Sequence, residues 1–185
     1  MLRKGFRILV RRLRETGLRT TLLWIYGRGL PKLTGIPLLG FSMVTPQLFV
    51  GPQYRARGKA HLEKNEIHYD VNMRIEFDDA KHGLALANYC YLPTIDDEDP
   101  SFEHLDQGAA FIRDAVETGG KVYIHCAGGI GRAPTMAAAY LMHTGMTLAE
   151  AITAILRVRP FIRIMPPQMV CLQEYEKRIQ VKENG

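Results

Sequence analysis

The stretch that most constrains this chain is His125-Cys126-Ala127-Gly128-Gly129-Ile130-Gly131-Arg132-Ala133-Pro134. A short apolar run, Val122-Tyr123-Ile124, leads into it, and an Ala-rich helical pattern from Met136 to Met142 leads out. This order predicts a strand, a tight turn and a helix, with a cysteine at the strand's end and an arginine opening the helix. Three glycines let the backbone take positive φ and keep the space above it clear. Successive backbone N–H groups in such a turn point inward and form an anion-binding nest. The helix adds its unpaired N–H groups and the positive end of its dipole. A thiol at the base of that cradle is pushed toward thiolate. Arg132 can close over a tetrahedral oxyanion with two parallel donors. A thiolate beneath such an anion is arranged for nucleophilic attack on phosphorus.

The rest of the chain sets bounds on that reading. A length of 185 residues suits one domain with a sizeable core. Cys90, Cys126 and Cys171 are widely spaced, with no CxxC or Cys/His cluster. Neither a disulfide framework nor a metal site is therefore expected, and a reducing compartment is the simpler setting. Charge is unevenly placed. Residues 1–32 hold nine Lys/Arg against Glu15, a net +8, whereas the remainder is −3. The basic character thus belongs to an N-terminal arm.

Within that arm, residues 3–14 place Phe6, Val10 and Leu13 on one helical face and Arg3, Arg7, Arg11 and Arg14 on another. The apolar run Thr20 to Tyr26 is far shorter than the roughly 20 residues a membrane span needs. A basic amphipathic helix with Trp24 and Tyr26 near its end reads as a membrane-surface segment. The alternatives are a basic helix packed on the domain and an Arg-rich organelle-targeting segment. The expected location is cytoplasmic, with membrane association through the arm. Pro31, Gly35, Pro37 and Gly40 punctuate the next stretch like a linker. The expected division is an arm and linker over 1–40 and one folded domain, the one that carries the Cys126–Arg132 loop, over 41–185.

Strands are predicted at 47–50, 67–72, 89–92 and 121–125, and helices at 54–65 and 101–118. Gly119-Gly120 ends the second of these helices. After the loop helix, Thr147-Leu148-Ala149-Glu150 is a capping box opening a helix that runs to about Val158. Pro166-Pro167 can start a last helix with Met169, Leu172, Tyr175 and Ile179 on its apolar face.

His125-Cys126, five residues and then Arg132 resemble the signature loop of the cysteine-dependent protein tyrosine phosphatase superfamily, and the small size resembles its dual-specificity branch. The resemblance covers roughly residues 41–182. It implies an α/β tyrosine-phosphatase-like fold, with a central mixed sheet flanked by helices and a helical C-terminal half. It also implies hydrolysis of phosphate monoesters with Cys126 as nucleophile. Phosphate would be held by the backbone of Ala127, Gly128, Gly129, Ile130 and Gly131 and by the Arg132 guanidinium. No metal and no cofactor are implied. The family's proton donor lies about thirty residues before the cysteine, in a loop ahead of a helix. Asp96, thirty residues before Cys126 in an acidic loop, is the first choice and Asp97 the second. His125 is expected to orient the loop through hydrogen bonds. Gln168 reads as a surface amide at a helix start, with positioning of the hydrolytic water as the alternative. The family usually carries Ser or Thr after the arginine, where its hydroxyl helps the intermediate break down. Here that residue is Ala133, which points to a slower second step.

Two further likenesses bear on substrate. Cys126 to Pro134 resembles the loop of glucan phosphatases, except at Gly128, where they carry Ala. Cys126 to Tyr140, together with Arg159 to Gln168, resembles the mitochondrial phosphatidylglycerophosphate phosphatase and its bacterial relatives. The expected partner is therefore a phosphorylated protein or a phospholipid, with membrane contact through residues 1–32. A monomer with no nucleic-acid partner is expected. A catalytically weak pseudophosphatase or phosphate-binding module is the competing reading, supported by Ala133 alone.

Overall fold

In a computed structural model, the main chain is described for residues 2–183 and the side chains for residues 9–181. The chain begins with a long helix, α1 (Leu2–Thr34), and continues through β1 (Leu48–Pro52), α2 (Ala56–Lys64), β2 (Ile67–Arg74) and β3 (Asn88–Thr94). It then forms α3 (Phe102–Glu117), β4 (Lys121–Cys126), α4 (Arg132–Met142), α5 (Leu148–Val158) and α6 (Pro166–Glu183). Four strands form one sheet in the order β1-β4-β2-β3. Every pairing between them is parallel, where a mixed sheet was expected. The antiparallel pairing present is an isolated bridge from Met43 to Phe49. Each strand-to-strand passage that crosses the sheet carries intervening chain long enough for a parallel return.

β4 lies between β1 and β2, and its alternate residues face opposite sides. Val122, Ile124 and Cys126 join the larger core with α3, α4, α5 and α6. Tyr123 joins a smaller one with Phe49, Tyr54, Leu62 and Ile67, on the α2 side. The pairings Pro52–Cys126 and Asn72–His125 bring the ends of three strands together at one edge.

α4 is buried along its whole length. A helix surrounded on all sides must be apolar all round, and Ala137-Ala138-Ala139 lets α3, α5 and α6 close on it. Its first residue, Arg132, is thereby carried into the interior. The capping box on Thr147 forms as the pattern predicts, and Ser101 caps α3 through His104 N.

The arm departs most from expectation. α1 breaks at Gly17, where φ is 77° in the left-handed region, and helix then continues through Pro31 to Thr34. Pro31 to Thr34, read as linker, is thus helical, and the side chains of Phe6, Arg3 and Arg7 lie outside the described residues. The second half of α1 packs on the rest of the chain. Thr21, Gly27 and Pro31 are buried. A Cβ at Gly27 would come within 2.6 Å of the Phe161 ring, so only glycine permits that approach. Arg12 turns inward, donating to the Phe161 carbonyl at 3.4 Å and lying over the Trp24 ring. Burial, reinforced by Arg163, Arg28 and Arg11, lowers its pKa to about 10. No helix among the described residues is long and apolar enough to cross a membrane.

Candidate active site

β4 ends at Cys126, and α4 starts six residues later at Arg132. Gly131 occupies the N-cap position and no side chain caps the helix. The first-turn N–H groups of α4 are therefore left for a ligand. Gly129 has φ of 61°, and a Cβ there would fall 2.4 Å from the Gly51 carbonyl. Both the backbone conformation and the seat on β1 demand glycine at 129. Gly128 differs: a Cβ would meet Arg28 and Ile130 at an ordinary 3.4 Å. Cys126 is buried, and its Sγ accepts the Gly129 N–H at 3.3 Å.

Arg132 is 1% exposed. Its Nη1 donates to Glu76 Oε2 at 2.8 Å and to the carbonyls of Thr94 (2.9 Å) and Met73 (3.3 Å). Nη2 donates to Glu76 Oε1 at 3.0 Å and lies 2.9 Å from Asp96 Oδ1. Nε is buried and has no hydrogen-bond partner among the described residues. Glu76 thus holds the guanidinium edge-on, the two-pronged geometry that Lys could not reproduce. Hydrogen bonds from Arg132 hold Glu76 at about 2, well below the usual carboxylate range. Burial opposes the Arg132 charge, yet Glu76, Cys126 and Asp96 together raise its pKa.

Of the two candidate acids, Asp96 is the one the structure brings to Arg132. Asp97 has φ of 66°, a left-handed conformation within a turn closed by Glu98 N to Ile95 O. The Asp96 side chain is 72% exposed although its carboxylate reaches a buried arginine. Gln168, expected on the surface, is fully buried. Its Oε1 accepts from Met165 N at 2.9 Å and its Nε2 donates to the Glu98 carbonyl at 3.0 Å. It ties the acid loop to the start of α6, beside Gly131.

Sequence reasoning missed two supports of this site. Glu76 lies 56 residues from Arg132, and the signal available was general: an arginine carried inside needs a carboxylate. Arg159 is the other. It sits fully buried beneath the loop, donating to the carbonyls of Gly129 (3.0 Å), Gly128 (3.4 Å) and Phe41 (2.6 Å). These bonds turn the loop carbonyls away from the anion side, so that its N–H groups are presented there. Burial lowers the Arg159 pKa to about 10.

His125 does not bond the loop as expected. Its Nε2 lies 2.9 Å from Asp79 Oδ2 and 3.9 Å from Asp70 Oδ2, all three residues being fully buried. The imidazole packs against the rings of Tyr54 and Tyr123. Tyr54 Oη donates to Asp70 Oδ2 at 2.6 Å, and Leu86 N to Oδ1 at 3.2 Å. Burial lifts Asp70 to about 6, against the pull of His125 and Tyr54. Asp70, Asp79 and His125 offer ligand atoms within 4.8 Å of one another, the one such group among the described residues. Both Asp70 oxygens and Asp79 Oδ1, which accepts from Gln53, already carry bonds. The set is a buried acid–imidazole network behind Cys126.

A strand–loop–helix cradle with a buried thiol, a clamped arginine and an acid reaching in from a separate loop defines a class. Residues 48–178 match the family model "Dual specificity phosphatase, catalytic domain". The chain belongs to the dual-specificity phosphatase family. Human dual specificity phosphatase 28 is 30% identical over 142 residues, covering 75% of this chain and 79% of that protein. Human phosphatidylglycerophosphatase and protein-tyrosine phosphatase 1 is 36% identical over 84 residues, covering 45% of this chain and 42% of that protein, so the match spans less than half of it. A crystal structure of PTPMT1 in complex with PI(5)P superposes with a TM-score of 0.69 at 26% identity, covering 76% of this chain and 96% of that one.

Proposed function

We propose that this protein hydrolyses phosphate monoesters through a cysteinyl-phosphate intermediate. Cys126 Sγ attacks phosphorus as the bond to the departing oxygen breaks, and Asp96 gives that oxygen its proton. A water then attacks the phosphocysteine, Asp96 takes its proton back, and phosphate leaves with the thiolate restored. The N–H groups of the loop and Arg132, with its unpartnered Nε, stabilise the charge on the nonbridging oxygens. The observation that carries this reading is the pairing of Asp96 with Arg132 at 2.9 Å beside a thiol that accepts the Gly129 N–H. An acid thirty residues upstream sits where the cradle's arginine is. The substrate is a phosphorylated protein residue or a phospholipid such as phosphatidylglycerophosphate, as the relatives' names support.

The test is hydrolysis of 4-nitrophenyl phosphate by the wild type and Cys126→Ser. Removing the nucleophile is expected to lower turnover roughly 10^4- to 10^6-fold. Equal rates in the two proteins would refute the mechanism. Ala133, buried at the second position of α4, supports a second reading, a weak enzyme that retains phosphate. In that case the same assay shows one burst of product without turnover.

The arm is proposed to rest on a membrane surface. Leu18, Leu22, Ile25 and Leu33 are exposed along one side of α1, which carries the chain's excess positive charge. An apolar stripe with basic flanks suits an anionic lipid surface. Replacing Leu18, Leu22 and Ile25 with Ser spares the face that packs on the domain. Loss of binding to phosphatidylglycerol-containing vesicles is expected, and unchanged binding rules the contact out.

A further inference from the structure

A cavity of about 450 Å³ opens between α1 and the phosphate loop. Its walls come from four parts of the chain: Arg28 and Lys32 of α1, Arg55 just before α2, Arg74 at the end of β2 with Phe77 just beyond it, and Ala127 of the loop itself. Ala127 directly follows the nucleophile, so the cavity and the cradle share a wall. Arg28 reaches the loop: its Nε lies 3.4 Å from where a Cβ on Gly128 would sit. The glycine at 128, which its own backbone does not demand, leaves that approach open.

The charge in this cavity is unbalanced. Arg74 is committed, donating to Glu76 Oε1 and Gln53 Oε1 at 2.9 Å each. Arg28, Lys32 and Arg55 have no carboxylate within 4.0 Å among the described residues. Three cations without a carboxylate partner, of which Arg28 lies 5.8 Å over the Trp24 ring, line one space, and their repulsion favours entry of an anion. Arg74 also shares Glu76 with Arg132, so the cavity connects to the catalytic arginine through a single carboxylate. The helix geometry adds a second constraint. At 3.6 residues per turn, Lys32 falls between Thr21 on the packed side of α1 and the exposed apolar stripe (Leu18, Leu22, Ile25), and Arg28 falls between the packed Thr21 and Pro31.

We propose that this cavity is a second anion subsite. It takes a second phosphate group of a substrate whose scissile monoester is seated over Cys126, and α1 is its recognition element. The preferred substrate class is therefore a molecule with two phosphates, one cleaved and one held by Arg28, Lys32 and Arg55. The arm selects substrate as well as place. This inference rests on the phosphatase reading for its first phosphate, but the subsite binds without chemistry.

The test uses full-length protein and two probes, butyl phosphate and 1,4-butanediol bisphosphate. Both are measured as competitive inhibitors of 4-nitrophenyl phosphate hydrolysis, and by calorimetric binding to Cys126→Ser. The bisphosphate is expected to bind at least about tenfold tighter, as one added charge-assisted contact provides. Varying the diol from ethane to hexane should give an optimum length. Arg28→Gln and Lys32→Gln should each reduce the preference, and together bring it near the twofold expected from two equivalent ends. Arg19→Gln, an exposed arm residue outside the cavity, should retain it. Capping the second phosphate as a methyl diester sorts the sources of that group. Retained preference assigns the subsite to a phosphodiester such as a lipid backbone carries, and lost preference to a second monoester. A preference absent in the wild type, or unchanged in the Arg28→Gln/Lys32→Gln protein, overturns the subsite. A bisphosphate preference without Cys126-dependent hydrolysis overturns the phosphatase reading and leaves the subsite standing.

Discussion

The phosphate loop and the acid loop face each other across one site and are built in opposite ways. The first is over-determined. Cys126 ends a central strand, Gly129 is pressed against β1, Arg159 holds two loop carbonyls from below, and Arg132 opens a helix buried throughout. The second is an exposed turn between β3 and α3, with Asp97 in a left-handed conformation. Three threads tie it inward: Asp96 to Arg132, the Glu98 carbonyl to Gln168, and the Pro100 carbonyl to the Cys171 thiol. On the proposed mechanism, the difference follows from what each must do. An anion cradle works by preorganisation, so its dipoles must already be in place. A proton donor must meet a leaving group whose size varies and then serve a water, so it sits where approach and departure are possible.

If that division holds, the largest effect comes from cutting the acid loop's chemical contribution while sparing the cradle. Asp96→Ala is expected to lower kcat roughly 10²- to 10⁴-fold for alkyl phosphates, the range for loss of a general acid. For 4-nitrophenyl phosphate, whose leaving group needs little protonation, the loss should be much smaller. Should Asp97→Ala show that pattern and Asp96→Ala not, the proton donor has been misassigned.

A smaller effect is expected at Glu76, which braces Arg132 and also accepts from Arg74. Glu76→Gln keeps the shape but removes the charge opposite Arg132, and kcat/KM should fall about tenfold, the worth of a charge-assisted hydrogen bond. The pH dependence has a definite sign. The folded-state pKa of Glu76 is about 2, below its ordinary 4.5. Its contribution to stability is complete above 4.5 and is lost as pH falls through about 2. Urea midpoints of wild type and Glu76→Gln should therefore converge over that acid range. Parallel curves would show that the carboxylate does not brace Arg132.

The smallest effect belongs to Ala133→Ser, which alters neither wall of the site but supplies the missing hydroxyl. Breakdown of the phosphocysteine should quicken severalfold, on the order of one neutral hydrogen bond. Burst amplitude in rapid-mixing kinetics measures it, and an unaltered burst means that another group already does that work.

Much of the architecture was legible in residue order. Thr147-Leu148-Ala149-Glu150 predicted its capping box, Pro166-Pro167 its helix start, and the 122–136 run its strand–loop–helix, because each depends on neighbours within a turn or two. The arm was misread where its pattern was ambiguous. Pro31 suggested a break, yet the helix runs on, since the packing of Gly27 against Phe161 holds the chain in register there. Gln168 was taken for a surface amide because the residues that bury it arrive from the acid loop and from Gly131.

The sequence by itself determined the cradle: Cys126, the loop glycines, Arg132 and the helix behind them are adjacent, and local geometry suffices to place them. Tertiary structure decided everything that meets the cradle from a distance. The order β1-β4-β2-β3 sets β2 beside β4 and so delivers Glu76 to Arg132 and Asp70 to His125. The helical C-terminal half brings Arg159 beneath the loop, and the packing of α1 sets Arg28 at its edge. These partners lie 30 to 100 residues from the positions they serve. No period or spacing encodes such meetings, because they depend on how whole elements bury their apolar faces against one another.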